Sequence, residues 1–216
     1  MPARTTFRIV TSTYFSAQTL PQNVLDILHA DARRFNVILS HVEKALTRPV
    51  GDGLLTRKEC WITCSTFDPS NFETIDFVLS CTENCIDSYP IFICPVRHSS
   101  QLDEDFLHPR LSLLMQALHS AVGVSRVFSV FAPDPVTEMF TDLWVDLTSV
   151  DFVRDPYYHA IFSVCTRRTH IDRSITIHPS LKYDIRPAVE SDIAKVAELC
   201  YGFALGSVSH FVPFCN

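Results

Sequence analysis

Three short β-rich segments stand close together near the middle of the chain, and they constrain the fold more than any other feature. They are CWITCS over 60–65, TIDFVLS over 74–80 and PIFICPV over 90–96. Short, turn-rich links separate them, so the segments predict an antiparallel meander. Because β-branched and aromatic side chains fit a half-buried pleated surface, the meander commits the chain to a fold built on a sheet.

The residues before the meander predict a strand followed by helix. FRIVTSTYF over 7–15 has the composition of a strand, and Pro21 suits a first helical position. From there an apolar helical face runs until Pro49 ends the pattern, and one long helix or two successive helices satisfy it equally. Its members are Leu28, Phe35, Leu39, Val42 and Leu46.

The residues after the meander alternate between helix and strand. They predict a helix that Pro109 begins and Gly123 ends, a strand over 126–131, a helix that Asp134 caps, and a strand over 157–165. The apolar stripe of the first helix comprises Leu111, Leu114, Met115, Leu118 and Val122. That of the second comprises Val136, Phe140, Leu143, Trp144 and Leu147.

This order of elements predicts the architecture. The step from strand through helix to strand over 90–131 predicts a right-handed crossover, which makes its two strands parallel neighbours. Together with the antiparallel meander it predicts the α/β (α+β) class. The expected structure is a mixed, mostly antiparallel sheet with helices on both faces.

Composition excludes several functional classes. A content of 47% hydrophobic and 11% aromatic residues in 216 supports a sizeable core rather than a disordered chain. The net charge of −6, with both signs mixed along the chain, disfavours nucleic-acid binding. The N-terminus lacks the apolar run of a signal peptide, and no stretch approaches the roughly 18 apolar residues of a membrane helix. We therefore expect a soluble, cytoplasmic protein with no nucleic-acid or membrane partner.

The cysteines raise the question of a metal site. Cys60 and Cys64 form one C-x-x-x-C pair, and Cys81 and Cys85 form another, which is compatible with zinc. On a strand, however, residues four apart are separated by about 13 Å, whereas both sulfurs must lie about 2.3 Å from one zinc ion. Reduced, mostly buried cysteines without a metal are therefore the expectation.

The tail of the chain carries a motif. YDIRPAVESDIAKVAEL over 183–199 resembles the opening pattern of the GNAT superfamily (Gcn5-related N-acetyltransferases), I-R-P-A-T-x-x-D followed by an amphipathic helix. Val189 replaces the usual threonine, which removes a capping hydroxyl worth about 1 kcal/mol, and Ser191 is the candidate replacement. The alternative is an ordinary strand followed by a capped helix. The matching residues are Ile185, Arg186, Pro187, Ala188 and Asp192.

The element order of the first part resembles the same GNAT-like acyl-CoA N-acyltransferase fold. The resemblance implies a degenerate GNAT-like domain over 1–166, a linker over 167–181, and the first strand and helix of a second GNAT domain over 182–216. The whole is similar to fungal two-domain GNAT-like proteins, with this chain as a truncated member. The last helix should pack its apolar stripe onto the first domain or onto a partner chain, as in a homo-oligomer. That stripe comprises Ile193, Val196, Leu199 and Phe203.

The resemblance implies acetyl-CoA as cofactor. The strand over 90–96 would bind the pantetheine, and a Q/R-x-x-G-x-G/A loop at the next helix N-terminus would bind the pyrophosphate. That loop falls in RHSSQLDEDFLHPR over 97–110, which contains no glycine and carries three acidic residues at 103–105. Carboxylates there repel phosphate, and side chains block close backbone approach. The cofactor-binding residues implied are Ile93, Cys94, Val96, Arg97 and His98.

The expected acid of the family is also missing. The tyrosine that protonates the departing thiolate aligns with Trp144, whose indole has no useful acidity, so no catalytic residue is assigned. Cys94 with His98 could imitate a thiol enzyme, but an apolar strand favours an inert core thiol. His98, Ser99 and Ser100 are adjacent in the sequence, but adjacency is not the geometry of a triad. Arg97 and Arg110 are expected to be surface groups rather than phosphate ligands.

Two hypotheses follow for function. The first is a GNAT-family N-acetyltransferase, transferring an acyl group from acyl-CoA to a small-molecule or protein amine, with activity impaired or lost in this chain. The second is a catalytically silent GNAT-like module that acts as a scaffold, regulator or dimerisation partner.

Overall fold

The computed structural model describes residues 7–47, 59–83, 88–153, 155–156 and 186–208. The chain divides into two compact units, Met1–Phe152 and Val153–Asn216. The strand predicted over 157–165, the linker predicted over 167–181 and both predicted domain boundaries lie outside the described residues.

The first unit alternates strands and helices in the predicted order. Short 3-10 turns at Ala17–Thr19, Ser99–Gln101 and Val124–Arg126 connect some of the elements. The elements are β1 (Arg8–Tyr14), α1 (Gln22–Ala30), α2 (Asn36–Leu46), β2 (Cys60–Phe67), β3 (Glu73–Cys81), β4 (Ile91–Pro95), α3 (Glu104–Ala121), β5 (Val130–Phe131) and α4 (Asp134–Thr148). This composition confirms the mixed α/β class.

The strands form one sheet in the order β1-β2-β3-β4-β5. The first three pairings are antiparallel, which confirms the meander, and β4 pairs with β5 in parallel. The β4–β5 contact is short, joining only Ile91 to Val130 and Phe92 to Phe131. The strand predicted over 126–131 is reduced to its last two residues, and Arg126 belongs to the 3-10 turn Val124–Arg126.

Helices cover both faces of the sheet. Successive side chains of a strand point to opposite faces, and β2 shows this directly. Cys60 and Ile62 pack in a cluster with residues of α3 and α4, whereas Trp61 packs in a second cluster with residues of α1 and α2. The predicted layering of helices on both faces is therefore confirmed.

The helical segment before the meander is two helices. α1 ends at Ala30, the chain turns over 31–35, and α2 begins at Asn36. The turn is tied to the sheet because the Arg34 guanidinium donates a hydrogen bond to the carbonyl oxygen of Val96, with the two atoms 2.8 Å apart. This contact connects the N-terminal helices to the end of β4.

The predicted apolar stripes are buried except at the helix ends. Leu28, Phe35 and Val42 are fully or almost fully buried, as are the central members of the two later stripes. Leu46 and Leu147 were expected in the core, but they remain 39% and 41% exposed. Leu46 is the last residue of α2 and Leu147 the next to last of α4, so both lie at helix ends.

α3 begins five residues earlier than predicted, at Glu104 rather than at Pro109. Asp103 starts it by accepting a hydrogen bond from the backbone N–H of Phe106 at 2.9 Å. An aspartate cap followed by acidic residues in the first turn is favourable enough to nucleate the helix there. Pro109 lies inside the helix, where it cannot donate a hydrogen bond to the carbonyl of residue 105 and its ring crowds that carbonyl.

α4 also differs slightly at its start. Asp134 is the first helical residue, and Pro133 takes the cap position that Asp134 was predicted to fill. The helix ends at Ser149, whose φ of 60° is left-handed, a frequent way for a helix to stop. Val136, Phe140 and Trp144 form its buried face, as predicted.

In the second unit a 3-10 turn, Glu190–Asp192, leads into α5 (Ile193–Val208), which confirms the predicted helix. Its start is held by Asp192, whose carboxylate accepts from the backbone N–H of Val189 at 2.9 Å and pairs with Arg186 at 2.6 and 2.9 Å. The prediction that Ser191 replaces the missing cap is wrong, because the carboxylate of Asp192 takes this role. The Arg and Asp of the I-R-P-A-x-x-x-D pattern are thus explained as a helix-capping ion pair.

None of the helices in the described part of the chain is long and apolar enough to cross a lipid bilayer.

Candidate functional site

The candidate site lies where β4 leaves the sheet and the chain turns into α3. The five predicted cofactor-binding residues all fall in this stretch, from the strand itself to the 3-10 turn Ser99–Gln101. They are Ile93, Cys94, Val96, Arg97 and His98. Their side chains do not converge on one point, because the strand sends alternate residues to opposite faces.

The two strand residues are part of the core. Ile93 is fully buried in the cluster beneath α3 and α4, and Cys94 packs against the opposite cluster beneath α1 and α2. Burial raises the pKa of the Cys94 thiol to about 12, although the nearby charge of Arg34 acts in the opposite direction. The thiol therefore stays protonated at neutral pH, which removes it as a nucleophile.

The backbone of Val96 is already occupied. Its N–H donates to the carbonyl oxygen of Asp76 at 2.8 Å, and its own carbonyl oxygen accepts from Arg34 at 2.8 Å. A pantetheine amide would have to displace one of these bonds. The pairing of β4 with β5 ends at Phe92, so the last three residues of β4 have no partner in β5. They are Ile93, Cys94 and Pro95.

His98 orders the turn that follows. It is the N-cap of the 3-10 turn, and its Nδ1 accepts from the backbone N–H of Ser100 at 3.3 Å and lies 3.0 Å from the Ser100 hydroxyl. The His98–Ser100 contact spans two residues and is local to the turn. It does not resemble a base aimed at a nucleophile within a substrate pocket.

Carboxylates occupy the N-terminus of α3. Asp103 accepts the hydrogen bond of the Phe106 N–H, and Glu104 and Asp105 fill the first turn, with all three acidic residues exposed. Negative side chains here complement the positive end of the helix dipole. Protein carboxylates therefore already occupy this helix end.

Beneath this end of β4 lies a buried charged network that the sequence did not reveal. Asp76 is fully buried in β3 and is the extra residue of a β-bulge, since Cys64 lies opposite Phe77 while Ser65 lies opposite Ile75. Its Oδ2 accepts from the Nε of Arg110 at 2.8 Å and also from the hydroxyl of Thr66.

Arg110 connects the network to α3. Its guanidinium also donates to the Thr66 hydroxyl oxygen at 2.7 Å and to the carbonyl oxygen of Phe106, one turn earlier in the helix, at 3.0 Å. The expectation that Arg110 is a surface group is wrong, because only 8% of the residue is exposed. A charge buried at this depth has to be paired and hydrogen-bonded, which Asp76 and Thr66 achieve.

Arg97 approaches the network from the solvent side. Its Nε lies 3.6 Å from Asp76 Oδ1, and its side chain is 39% exposed. The guanidinium groups of Arg97 and Arg110 lie 4.3 and 4.0 Å from the ring centroid of Phe106, both within cation–π range. Asp76 Oδ1 is buried and makes no hydrogen bond. Arg97 is thus the one predicted ligand residue with a charge available to solvent.

No activated nucleophile accompanies these charges. Burial raises the pKa of the nearby Cys64 thiol to about 12, the Asp76 carboxylate raises it further, and Arg110 opposes both. The network instead joins Thr66 on β2 and Asp76 on β3 to α3, which fixes the helix on the sheet. The signal that could have found it is Asp76 itself, a charged residue inside an otherwise apolar or β-branched strand segment.

Trp144 occupies the position where the resemblance places the catalytic tyrosine. The residue is 5% exposed, its ring is stacked with Phe140 at a centroid distance of 5.8 Å, and it meets His119 edge-on at 6.1 Å. Its role is to fill the core between α3 and α4, as the sequence analysis expected. Within the described residues, no group of three or more His, Cys, Asp or Glu is arranged to hold a metal ion.

Comparison with known proteins gives no relative. No protein-family model matches the sequence, and neither a curated protein nor a solved structure matches it significantly.

Proposed function

We propose that the first unit is a GNAT-like domain that does not transfer acetyl groups and acts as a non-catalytic module. Support comes from the order strand, two helices, three antiparallel strands, helix, parallel strand and helix, which is the order that the sequence resemblance implies. A module of this kind keeps the scaffold of the fold while the groups needed for chemistry are replaced.

One observation carries the proposal: the N-terminus of α3 is capped by Asp103 and followed by Glu104 and Asp105. Helix N-termini bind phosphate through free backbone N–H groups and the positive end of the dipole. Here a side-chain carboxylate takes the N–H of Phe106, and two further negative charges face any incoming diphosphate. These carboxylates therefore disfavour coenzyme A binding at this helix end.

The remaining groups support the same conclusion. Trp144 fills core space instead of offering an acidic hydroxyl, the Cys94 thiol has a raised pKa because it is buried, and His98 caps a turn. Each of them has a structural role that accounts for its contacts.

Thermal unfolding of the full chain with acetyl-CoA tests this proposal. We expect no saturable change in the unfolding midpoint up to millimolar ligand. Binding would be detectable, because a ligand that binds only the folded state adds about 2.7 kcal/mol of stability at 100 times its Kd. ADP serves as a control for diphosphate binding alone. A saturable rise of several degrees that acetyl-CoA produces and ADP does not would overturn the proposal.

A second candidate, a retained N-acyltransferase activity, has one observation in its favour. β4 continues through Ile93, Cys94 and Pro95 after its pairing with β5 ends at Phe92, which leaves an opening of the kind that a pantetheine arm needs. The acceptor would be a small-molecule or protein amine. Release of free coenzyme A from acetyl-CoA, measured chromatographically with a mixture of amines, would favour this candidate, and Arg97→Ala should then weaken the binding.

A further inference from the structure

Cys60 and Cys81 lie directly opposite each other on neighbouring antiparallel strands. They are register partners at one end of the β2–β3 ladder. Partners in such a ladder have Cα atoms about 4.5–5.5 Å apart. A disulfide requires about 4.4–6.8 Å, so the Cα separation of register partners is compatible with one.

Their side chains share one face of the sheet. Both residues are 3% exposed and belong to the cluster beneath α3 and α4, and both thiols are free. The other two cysteines described in these strands have no such partner, because Cys64 lies opposite Phe77 and Cys94 opposite Val78. The pairing is therefore specific to Cys60 and Cys81.

The position of the pair at the ladder end provides access. Cys60 is the first residue of β2 and Cys81 the last residue of β3. In the folded structure both thiols stay protonated and unreactive, because burial raises the pKa of Cys60 to about 12 and also raises that of Cys81. Strand ends open locally at lower free energy than strand centres, so this end of the hairpin can expose both thiols without global unfolding.

The guanidinium of Arg126 lies close enough to Cys60 and Cys81 for its charge to act on both thiols. The charge of Arg126 lowers the pKa of both thiols and so opposes the effect of burial. The group is held by a hydrogen bond from its Nη2 to the carbonyl oxygen of Thr82 at 2.7 Å and lies 3.8 Å from Glu83 through its Nε. Its Nη1 is buried and makes no hydrogen bond. A thiolate formed during opening would find a cation already in place.

We propose that Cys60 and Cys81 are a redox modification site, which a small-molecule disulfide converts into a cross-strand disulfide. One thiolate attacks the small disulfide, expels one small thiol and leaves a mixed disulfide. The second thiolate then attacks the protein sulfur of that bond and expels the other small thiol. The two protein thiols lose two protons and two electrons, and the small disulfide takes up both.

The experiment treats the full chain with glutathione disulfide under native conditions. Remaining thiols are alkylated, and the protein is digested without reduction with chymotrypsin and with Glu-C, which cuts after Glu83 and so separates Cys81 from Cys85. Disulfide-linked peptides are identified by mass spectrometry. We expect a Cys60–Cys81 peptide to dominate the linked species and to disappear after dithiothreitol. Cys64→Ala, on the same strand and the same face, should leave that peptide unchanged, whereas Cys60→Ala should abolish it.

The wild-type digest decides the question even if Cys60→Ala fails to fold. Cys60 and Cys81 each alkylated, or each carrying glutathione without a link between them, would overturn the proposal. A disulfide from either residue to another cysteine in larger amount than the Cys60–Cys81 link would overturn it as well.

Discussion

At the scale of single residues, the buried Asp76 carboxylate connects the sheet to α3. It sits in a β-bulge, holds Arg110 at 2.8 Å and is approached by Arg97 at 3.6 Å. A buried ion pair contributes little net stability over an apolar replacement, yet removing one partner leaves the other charge uncompensated. Asp76 and Arg110 are therefore far less tolerant of single substitution than Arg97.

Arg110→Met should destabilise the protein by about 3 kcal/mol or more, because it leaves the Asp76 carboxylate buried without its main partner. The free energy of unfolding from urea titration measures this. Arg97→Met is the matched control and should cost less than about 1 kcal/mol, since its side chain is 39% exposed and solvent screens the pair. Equal losses in the two variants would show that the network does not hold α3 as described.

His41 adds a pH dependence at the same scale. Burial, with a smaller effect from the charge of Lys44, lowers the pKa of His41 to about 4 from its ordinary 6.5. The ring is packed against Tyr89 at 4.4 Å and Phe92 at 5.3 Å, and its Nδ1 lies 3.2 Å from the Thr82 hydroxyl. The folded state thus keeps the imidazole neutral where the unfolded chain would take up a proton.

The protein should therefore lose stability as the pH falls from about 6.5 to about 4, by up to roughly 3 kcal/mol from this group. Above pH 6.5 the imidazole is neutral in both states and the contribution is constant. Urea unfolding at pH 7.5, 5.5 and 4.5 measures the slope. In His41→Phe, which keeps an aromatic ring at this position, the slope over this window should be shallower, and an unchanged slope would contradict the assignment.

At the scale of elements, α3 decides what the candidate site can do. The sequence correctly predicted a helix after β4, and it singled out the three acidic residues at 103–105. It placed the helix start at Pro109, because proline is common at a first helical position. The competing signal, an aspartate followed by two acidic residues, turned out to be the actual start.

Asp103→Ala should cost about 1 kcal/mol, since it removes the side-chain acceptor for the Phe106 N–H. Thermal or urea unfolding provides the measurement. Asp103→Asn is the matched control, because an asparagine caps a helix about as well as an aspartate, and it should stay close to wild type. Equal losses for Asn and Ala would mean that the negative charge rather than the side-chain cap stabilises this helix end.

At the scale of the whole molecule, two separate regions of the first unit carry the two functional proposals. The end of β4 faces the acidic start of α3, which carries the proposal of a silent GNAT-like module. The far end of the β2–β3 ladder holds the Cys60–Cys81 pair, which carries the proposal of redox modification. The acetyl-CoA titration and the disulfide map test them independently, since neither result depends on the other.

The sequence by itself determined the order of strands and helices in the first unit, the meander and the layering of helices on both faces. These follow from local periodicity and side-chain chemistry, which a short stretch of chain carries within itself. Only the tertiary structure decided the bulge at Asp76, the burial of Arg110, the two-residue contact of β5 and the meeting of Cys60 with Cys81. Those depend on strand register and on contacts between residues tens of positions apart, which no local pattern encodes.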